Sequence, residues 1–180
     1  MKRARISLSL IGLGFLVGVT GCSQVSLEGE LPLNSRYRDE QPALSGDGRW
    51  LAFVTNRNGK NEIAIYNLLE RQFVHWDGLN SSSQIAASPS LSRTGRYVVY
   101  ISSARGRSDI VLYDRATGRS EILTLGYHSW LRNPRISPNG RYIVFETSRR
   151  GQWDIEVLDR GPKIELDMAD GTPLTVTSYQ

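Results

Sequence analysis

Pro42-Ala-Leu-Ser-Gly-Asp-Gly-Arg-Trp-Leu-Ala-Phe53 returns as Pro89-Ser-Leu-Ser-Arg-Thr-Gly-Arg-Tyr-Val-Val-Tyr100 and again as Pro134-Arg-Ile-Ser-Pro-Asn-Gly-Arg-Tyr-Ile-Val-Phe145. The copies stand 47 and 45 residues apart, and the same offsets relate Gly59, Gly106 and Gly151, and the acids Glu62, Asp109 and Asp154. A period near 46 residues, built from short apolar runs between turn residues, is the signature of a radially repeated antiparallel sheet.

Punctuation places the strands within each unit. Strand a ends at Leu44-Ser45, Leu91-Ser92 and Ile136-Ser137, and Gly48, Gly95 and Gly140 then supply the positive φ of a tight turn. Strand b covers 50–55, 97–102 and 142–147. These runs are apolar on both alternating faces, as strands covered from two sides are. Strand c starts at Glu62, Asp109 and Asp154, and strand d is expected over 72–76, 120–125 and 163–166. The fold class is therefore all-β: three four-stranded antiparallel propeller blades, about 36–80, 81–128 and 129–180, forming a partial or open β-propeller.

Outward from the repeat, residues 1–22 read as an address. Lys2, Arg3 and Arg5 precede an apolar run from Ile6 to Val19, too short at 14 residues for an ordinary membrane-spanning helix, and the small residues Thr20, Gly21 and Cys22 follow. Val19-Thr20-Gly21-Cys22 resembles the bacterial lipobox, which makes 1–21 a signal peptide, Cys22 the lipidated residue and 22–35 a tether. Two or more acyl chains on one residue anchor a protein stably to a membrane that it does not cross. Resemblance to lipoprotein sorting signals, with Ser23 after the cysteine, favours the periplasmic side of the outer membrane.

Composition narrows the chemistry. The 180 residues carry 22 Lys and Arg against 18 Asp and Glu, and without the leader the balance is 19 to 18, so no global basicity argues for nucleic acid. One cysteine and two histidines exclude a disulfide within the chain and a Cys/His zinc cluster, and no cofactor or metal is expected. Gly-x-Ser-x-Gly, His-Glu-x-x-His and the phosphate-cradling Gly-x-x-x-x-Gly-Lys are missing from the sequence. No recognisable catalytic motif remains, although a dispersed Ser-His-Asp triad using His128 stays open.

Ser137-Pro-Asn-Gly-Arg141, the starts Asp109-Ile110 and Asp154-Ile155, and the Asp114-Arg-Ala-Thr-Gly118 turn resemble the TolB-type β-propeller repeat over about residues 36–166. The resemblance implies propeller blades in an envelope protein. It does not imply one activity, because such blades also occur in sensors and in the non-catalytic halves of peptidases. Family members with six blades and a separate N-terminal α/β domain differ from this sequence, which has three repeats. Short lipoproteins of this kind resemble a cyanobacterial group, which adds the thylakoid lumen as a compartment.

Residues that recur in every unit are read as structural. Arg49, Arg96 and Arg141 are expected to pair with Glu62, Asp109 and Asp154 and so to tie the a–b turn to strand c. Unrepeated residues are freer to bind. Propeller topology puts the b–c loops and d–a connections on one face, where Arg57, Lys60, Arg105, Arg107, Arg149, Arg150 and Arg132 against Asp77 give a net charge of +6. The opposite turns carry +2. Tyr127, Trp130 and Trp153 fall on the more basic face, and aromatics among arginines suit an acidic envelope protein or glycan. The expected function is a lipid-anchored binding or scaffold protein; a hydrolase of envelope peptide or glycan and a structural subunit of a membrane complex are the alternatives. Three blades leave two apolar outer faces, to be covered by the flanks 27–33 and 172–179, by another protein, or by a second copy in a homodimer that completes a six-bladed ring.

Overall fold

The computed structural model describes residue 33, residues 35–80 and residues 85–168; the leader, Cys22 and the flank 172–179 lie outside the described residues. Eleven strands form three antiparallel sheets among them. The first blade is β1 (Asp39–Leu44), β2 (Trp50–Thr55), β3 (Glu62–Asn67) and β4 (Gln72–Val74), paired in chain order. The second is β5 (Ala86–Leu91), β6 (Tyr97–Ser102), β7 (Asp109–Asp114) and β8 (Arg119–Ile122). The third is β9 (Leu131–Ile136), β10 (Tyr142–Thr147) and β11 (Asp154–Asp159).

Each first strand carries one bulge, at Gln41, Ser88 and Asn133, whose φ angles of 55°, 51° and 52° place them in the left-handed region. The repeated Pro42, Pro89 and Pro134 follow directly. A bulge is where a strand tolerates a residue that cannot donate to the ladder, so this pair of residues recurs as a unit.

Two apolar layers join the blades. Trp50, Ala52, Ile63 and Ile65 of the first blade pack on Leu91, Val98, Tyr100, Val111 and Tyr113 of the second. Tyr97, Val99, Ile110 and Leu112 in turn pack on Leu131, Ile136, Ile143 and Phe145 of the third. The junctions repeat in detail. Trp50 lies so close to Gly95, and Tyr97 to Gly140, that a Cβ on either glycine would collide with the ring. Arg115 of the second blade covers Trp50 at 5.1 Å, and Arg160 of the third covers Tyr97 at 4.3 Å.

The strand expected over 163–166 does not form. Gly161 takes φ +87° and Pro162 has no N–H, so the chain leaves the sheet after β11 and crosses to the second blade. There Glu165 pairs with Arg96 at 2.6 Å, and its backbone oxygen accepts from the Tyr97 hydroxyl at 2.5 Å. Buried Asp167 accepts from Ser92 Oγ, from Thr94 N and from Thr94 Oγ1 at 2.5, 2.8 and 2.6 Å. The reason lies in the turns. Asp47 and Asn139 each bind the preceding serine hydroxyl and the backbone N–H two residues on, whereas the second blade has Thr94 in that place. Asp167 brings from elsewhere in the chain the carboxylate that this turn lacks.

The expected pairing of Arg49, Arg96 and Arg141 with Glu62, Asp109 and Asp154 is also corrected. Antiparallel pairing sets the start of strand b against the end of strand c, as Tyr97↔Asp114 and Tyr142↔Asp159 show. The arginines therefore meet the far acids: Arg49 with Glu70 at 3.2 Å, Arg96 with Asp114 at 3.3 Å and Arg141 with Asp159 at 2.8 Å. The acids that open strand c lie a whole strand away, about 17–20 Å for a strand of this length.

Candidate functional site: a groove between the second and third blades

Strand c opens on the loop face, and its acids serve the loops. Arg105 and Arg107, in the loop between β6 and β7, both approach Asp109, at 3.6 and 3.5 Å. Arg150 pairs with Asp154 at 3.0 Å, and Asn58 donates to Glu62. Arg149 reaches Glu156 at 3.5 Å and Arg132 reaches Glu146 at 2.6 Å. Arg57 meets Asp39 at 2.8 Å. The face is thus a set of ion pairs, not a bare cationic rim. Local imbalance survives where two arginines share one acid: the Arg105–Arg107–Asp109 corner keeps one positive charge beyond what its carboxylate cancels. Asp109 itself is buried, and neither of its oxygens accepts a hydrogen bond.

A groove of about 540 Å³ opens beside that corner, lined by Leu123, Tyr127, His128, Ser129, Trp130, Ser148 and Arg149. A second hollow of about 300 Å³ shares His128, Ser129 and Trp130 and reaches Arg107. The connection between β8 and β9 forms the floor and is firmly held. Trp130 N donates to Ser148 Oγ at 3.1 Å, Ser148 N donates back to Trp130 O at 3.0 Å, and the Ser129 and Thr147 hydroxyls lie 3.0 Å apart. The Trp130 side chain nevertheless stays 69% exposed. An indole this open on a rigid backbone is a ready contact surface, since little ordering cost remains to be met on binding.

The walls come from neighbouring blades. On one side Arg107 donates to Leu125 O at 2.8 Å and lies 3.2 Å from His128 Nδ1. On the other, the Tyr127 hydroxyl donates to Glu156 at 2.7 Å while the Arg149 guanidinium sits 5.8 Å from the Tyr127 ring. Burial, then the hydrogen bond to Glu156, pushes the Tyr127 phenol above its ordinary pKa, so it remains a donor.

Of the nine candidate binding residues, Arg107, Tyr127, Trp130 and Arg149 meet at this groove, with Arg105 behind it on Asp109 and Arg150 on the adjoining loop. Three lie elsewhere. Trp153 is on the open side of the third blade, with the Arg132 guanidinium 3.8 Å from its ring centre. Lys60 lines a hollow on the first blade with Asn58, His75 and Asn80. Arg57 holds the segment leading into β1: it donates to Leu33 O at 2.9 Å and covers Phe73 at 4.6 Å. Burial works against the charge on Asp39, but hydrogen bonds from Arg57, Thr55 and Ser35 outweigh it and hold the carboxyl below its ordinary range.

The sequence offers His128 only as the base of a dispersed triad and not as a binding residue, yet the groove includes it; Ser148 and Glu156 carry no sequence signal that singles them out. The spacings Arg105–Asp109 and Arg150–Asp154, each four residues across a tight loop, were the available signal for the neutralisation. Among the described residues no cluster of three or more His, Cys, Asp or Glu could hold a metal ion.

No family model matches the chain, and no curated protein matches it. Solved structures do. TolB from Acinetobacter baumannii superposes with a TM-score of 0.60 at 24% identity, over 72% of this chain and 31% of that one. A candidate TolB from Agrobacterium tumefaciens gives 0.55 at 19% identity, over 72% and 48%. A puromycin-hydrolysing peptidase from Mycobacterium tuberculosis gives 0.53 at 14% identity, over 70% and 20%. The chain spans less than half the length of each. The fold these likenesses establish is a TolB-like β-propeller, of which the described residues make three blades.

Proposed function

We propose that this TolB-like propeller is a lipid-anchored binding protein of the bacterial envelope, and that it holds an acidic protein or glycan in the groove between its second and third blades. The observation that carries the reading is the exposed Trp130 indole on a pinned backbone, beside a corner where two arginines share Asp109. The ring offers stacking area to a sugar or an apolar side chain, and the uncompensated charge favours a carboxylate or another anion nearby. Anchoring rests on the lipobox-like Val19–Cys22 tetrad, and envelope placement follows from it: the periplasmic side of the outer membrane, or the thylakoid lumen in a cyanobacterial cell.

A hydrolase needs a nucleophile, a base and an orienting acid converging on one point. His128 faces an arginine, and His75, 3.4 Å from Asp77, forms an exposed pair. The side chains support binding.

The test is retention of membrane proteins and glycans by the full chain in mild detergent, compared with Trp130→Ala combined with Arg105→Gln, two changes at exposed side chains. The expected result is at least tenfold weaker retention by the variant, with a flatter dependence on salt. Equal retention at low salt rejects the groove as the site. Labelled palmitate entering the wild-type chain and not Cys22→Ser checks the anchor separately.

A further inference from the structure

The junction between blades is a repeated unit, and each of its two halves is left unused once. Trp50 and Tyr97 are buried against the turn glycine of the following blade, at 7% and 2% exposure, whereas the matching Tyr142 is 40% exposed. Ile63 and Ile110 are buried, whereas the matching Ile155 is 68% exposed; Ile65 and Leu112 are buried, whereas Val157 is 62% exposed. This is the forward side of the junction, open on the third blade.

The receiving side is open on the first at its a–b turn and first strand, while Phe53 and Tyr66 on the same face are already buried. Gly95 and Gly140 are filled by a neighbouring ring, whereas a Cβ at Gly48 would meet nothing within 4 Å. Leu91 and Ile136 are buried in the two junctions, whereas the matching Leu44 is 59% exposed. A groove of about 330 Å³ runs along Leu51 and Phe53, flanked by Leu33 and Tyr37.

We propose that the third blade of one chain docks on the first blade of a second copy, and reciprocally, so that two copies close a six-bladed ring. The Tyr142 ring then lies on the second copy's Gly48, and Ile155 and Val157 cover the Leu44 and Leu51 side. In the two internal junctions the aromatic is topped by Arg115 or Arg160; the corresponding residue of the first blade is Leu68, which gives Tyr142 an apolar cover instead. Propellers close with about four to eight blades, so two three-bladed chains fall inside the range, and a two-fold axis makes both junctions identical. The inference is independent of the loop-face groove, because the two surfaces share no residue.

Sedimentation equilibrium of the full chain in density-matched detergent tests it. Wild type is expected at the mass of two chains, and Val157→Glu and Leu44→Glu, both at exposed positions, each at the mass of one with unchanged far-ultraviolet circular dichroism. Mixing the two variants regains a two-chain species, because one junction in the mixed pair has both partners intact. A one-chain mass for wild type at about 100 µM, where even weak association registers, overturns the proposal. A two-chain mass that survives Leu44→Glu also overturns it, since the contact would then join two third blades or use another surface. Ile155→Glu repeats the arm should Val157→Glu lose its fold.

Discussion

The second and third blades are written almost alike and are buried very differently. Tyr97-Val-Val-Tyr-Ile-Ser102 is buried at every position, whereas Tyr142-Ile-Val-Phe-Glu-Thr147 is buried fully only at Ile143, Phe145 and Thr147. β7 is covered on both faces and β11 alternates. Two-sided apolarity in a strand therefore records a need for cover and not its source. The second blade finds its cover within the chain, and the third shows water a surface of the kind that marks an interface.

The comparison can be broken most forcefully at its equivalent tyrosines. Tyr97→Ala removes a ring seated on Gly140 and a hydroxyl bonded to Glu165 O, and a loss of about 3–5 kcal/mol is expected from denaturant unfolding. Tyr142→Ala, measured at protein concentrations too low for self-association, should cost less than about 1 kcal/mol. Equal costs would mean that the third blade is covered after all. Raising the protein concentration should widen the effect of Tyr142→Ala if a second copy fills that face.

A smaller effect belongs to the tail that replaces the missing fourth strand. Asp167→Ala strands the Ser92 and Thr94 groups it binds and should cost about 2–3 kcal/mol by the same unfolding measurement. Asp47→Ala removes the same kind of turn contact at the exposed first blade and should cost about 1 kcal/mol or less. Reversal of that order would show that Asp167 does not complete the second turn.

Smallest is the response to acid. Arg141, with a backbone bond from Gly161, holds Asp159 down to about 2 from the ordinary 3.8, and Arg96 holds Glu165 below its ordinary 4.5. Folded-state values below the unfolded ones mean that these acids stabilise fully above the unfolded range and lose that contribution as pH falls through the folded values. Carboxyl titration by NMR should place the Asp159 midpoint near 2, and Arg141→Gln should return it towards 3.8. A wild-type midpoint near 3.8 would remove the Arg141 pair from the account.

The repeat made much of this fold legible. The offsets of 47 and 45 residues carry the three blades, the turn glycines and the two-sided inner strands, because each follows from local pattern alone. The failures are tertiary. Lys163-Ile-Glu-Leu166 alternates like a strand, yet Glu165 and Asp167 are drawn to Arg96, Ser92 and Thr94, about 70 residues back. One signal was present: among Asp47, Thr94 and Asn139, only Thr94 lacks the side-chain carbonyl that this turn uses. Recurrence alone points Arg49, Arg96 and Arg141 to the wrong acids, because antiparallel register sets the start of strand b against the end of strand c. At the groove, composition pointed to the loop face, but the loop charge count leaves out the strand acids: Asp109 and Asp154, just beyond the loops, pair with Arg105, Arg107 and Arg150, and Glu156 further along pairs with Arg149.

The most direct test of the binding claim follows the four tryptophan indole N–H resonances while polyglutamate or polygalacturonate is titrated into the full chain in mild detergent. The account predicts that Trp130 shifts progressively with either acidic chain and less at high salt, while Trp50 and Trp76, buried between the first two blades, stay in place. A Trp130 signal unmoved by both polymers, or a response confined to Trp153 on the open face of the third blade, contradicts it.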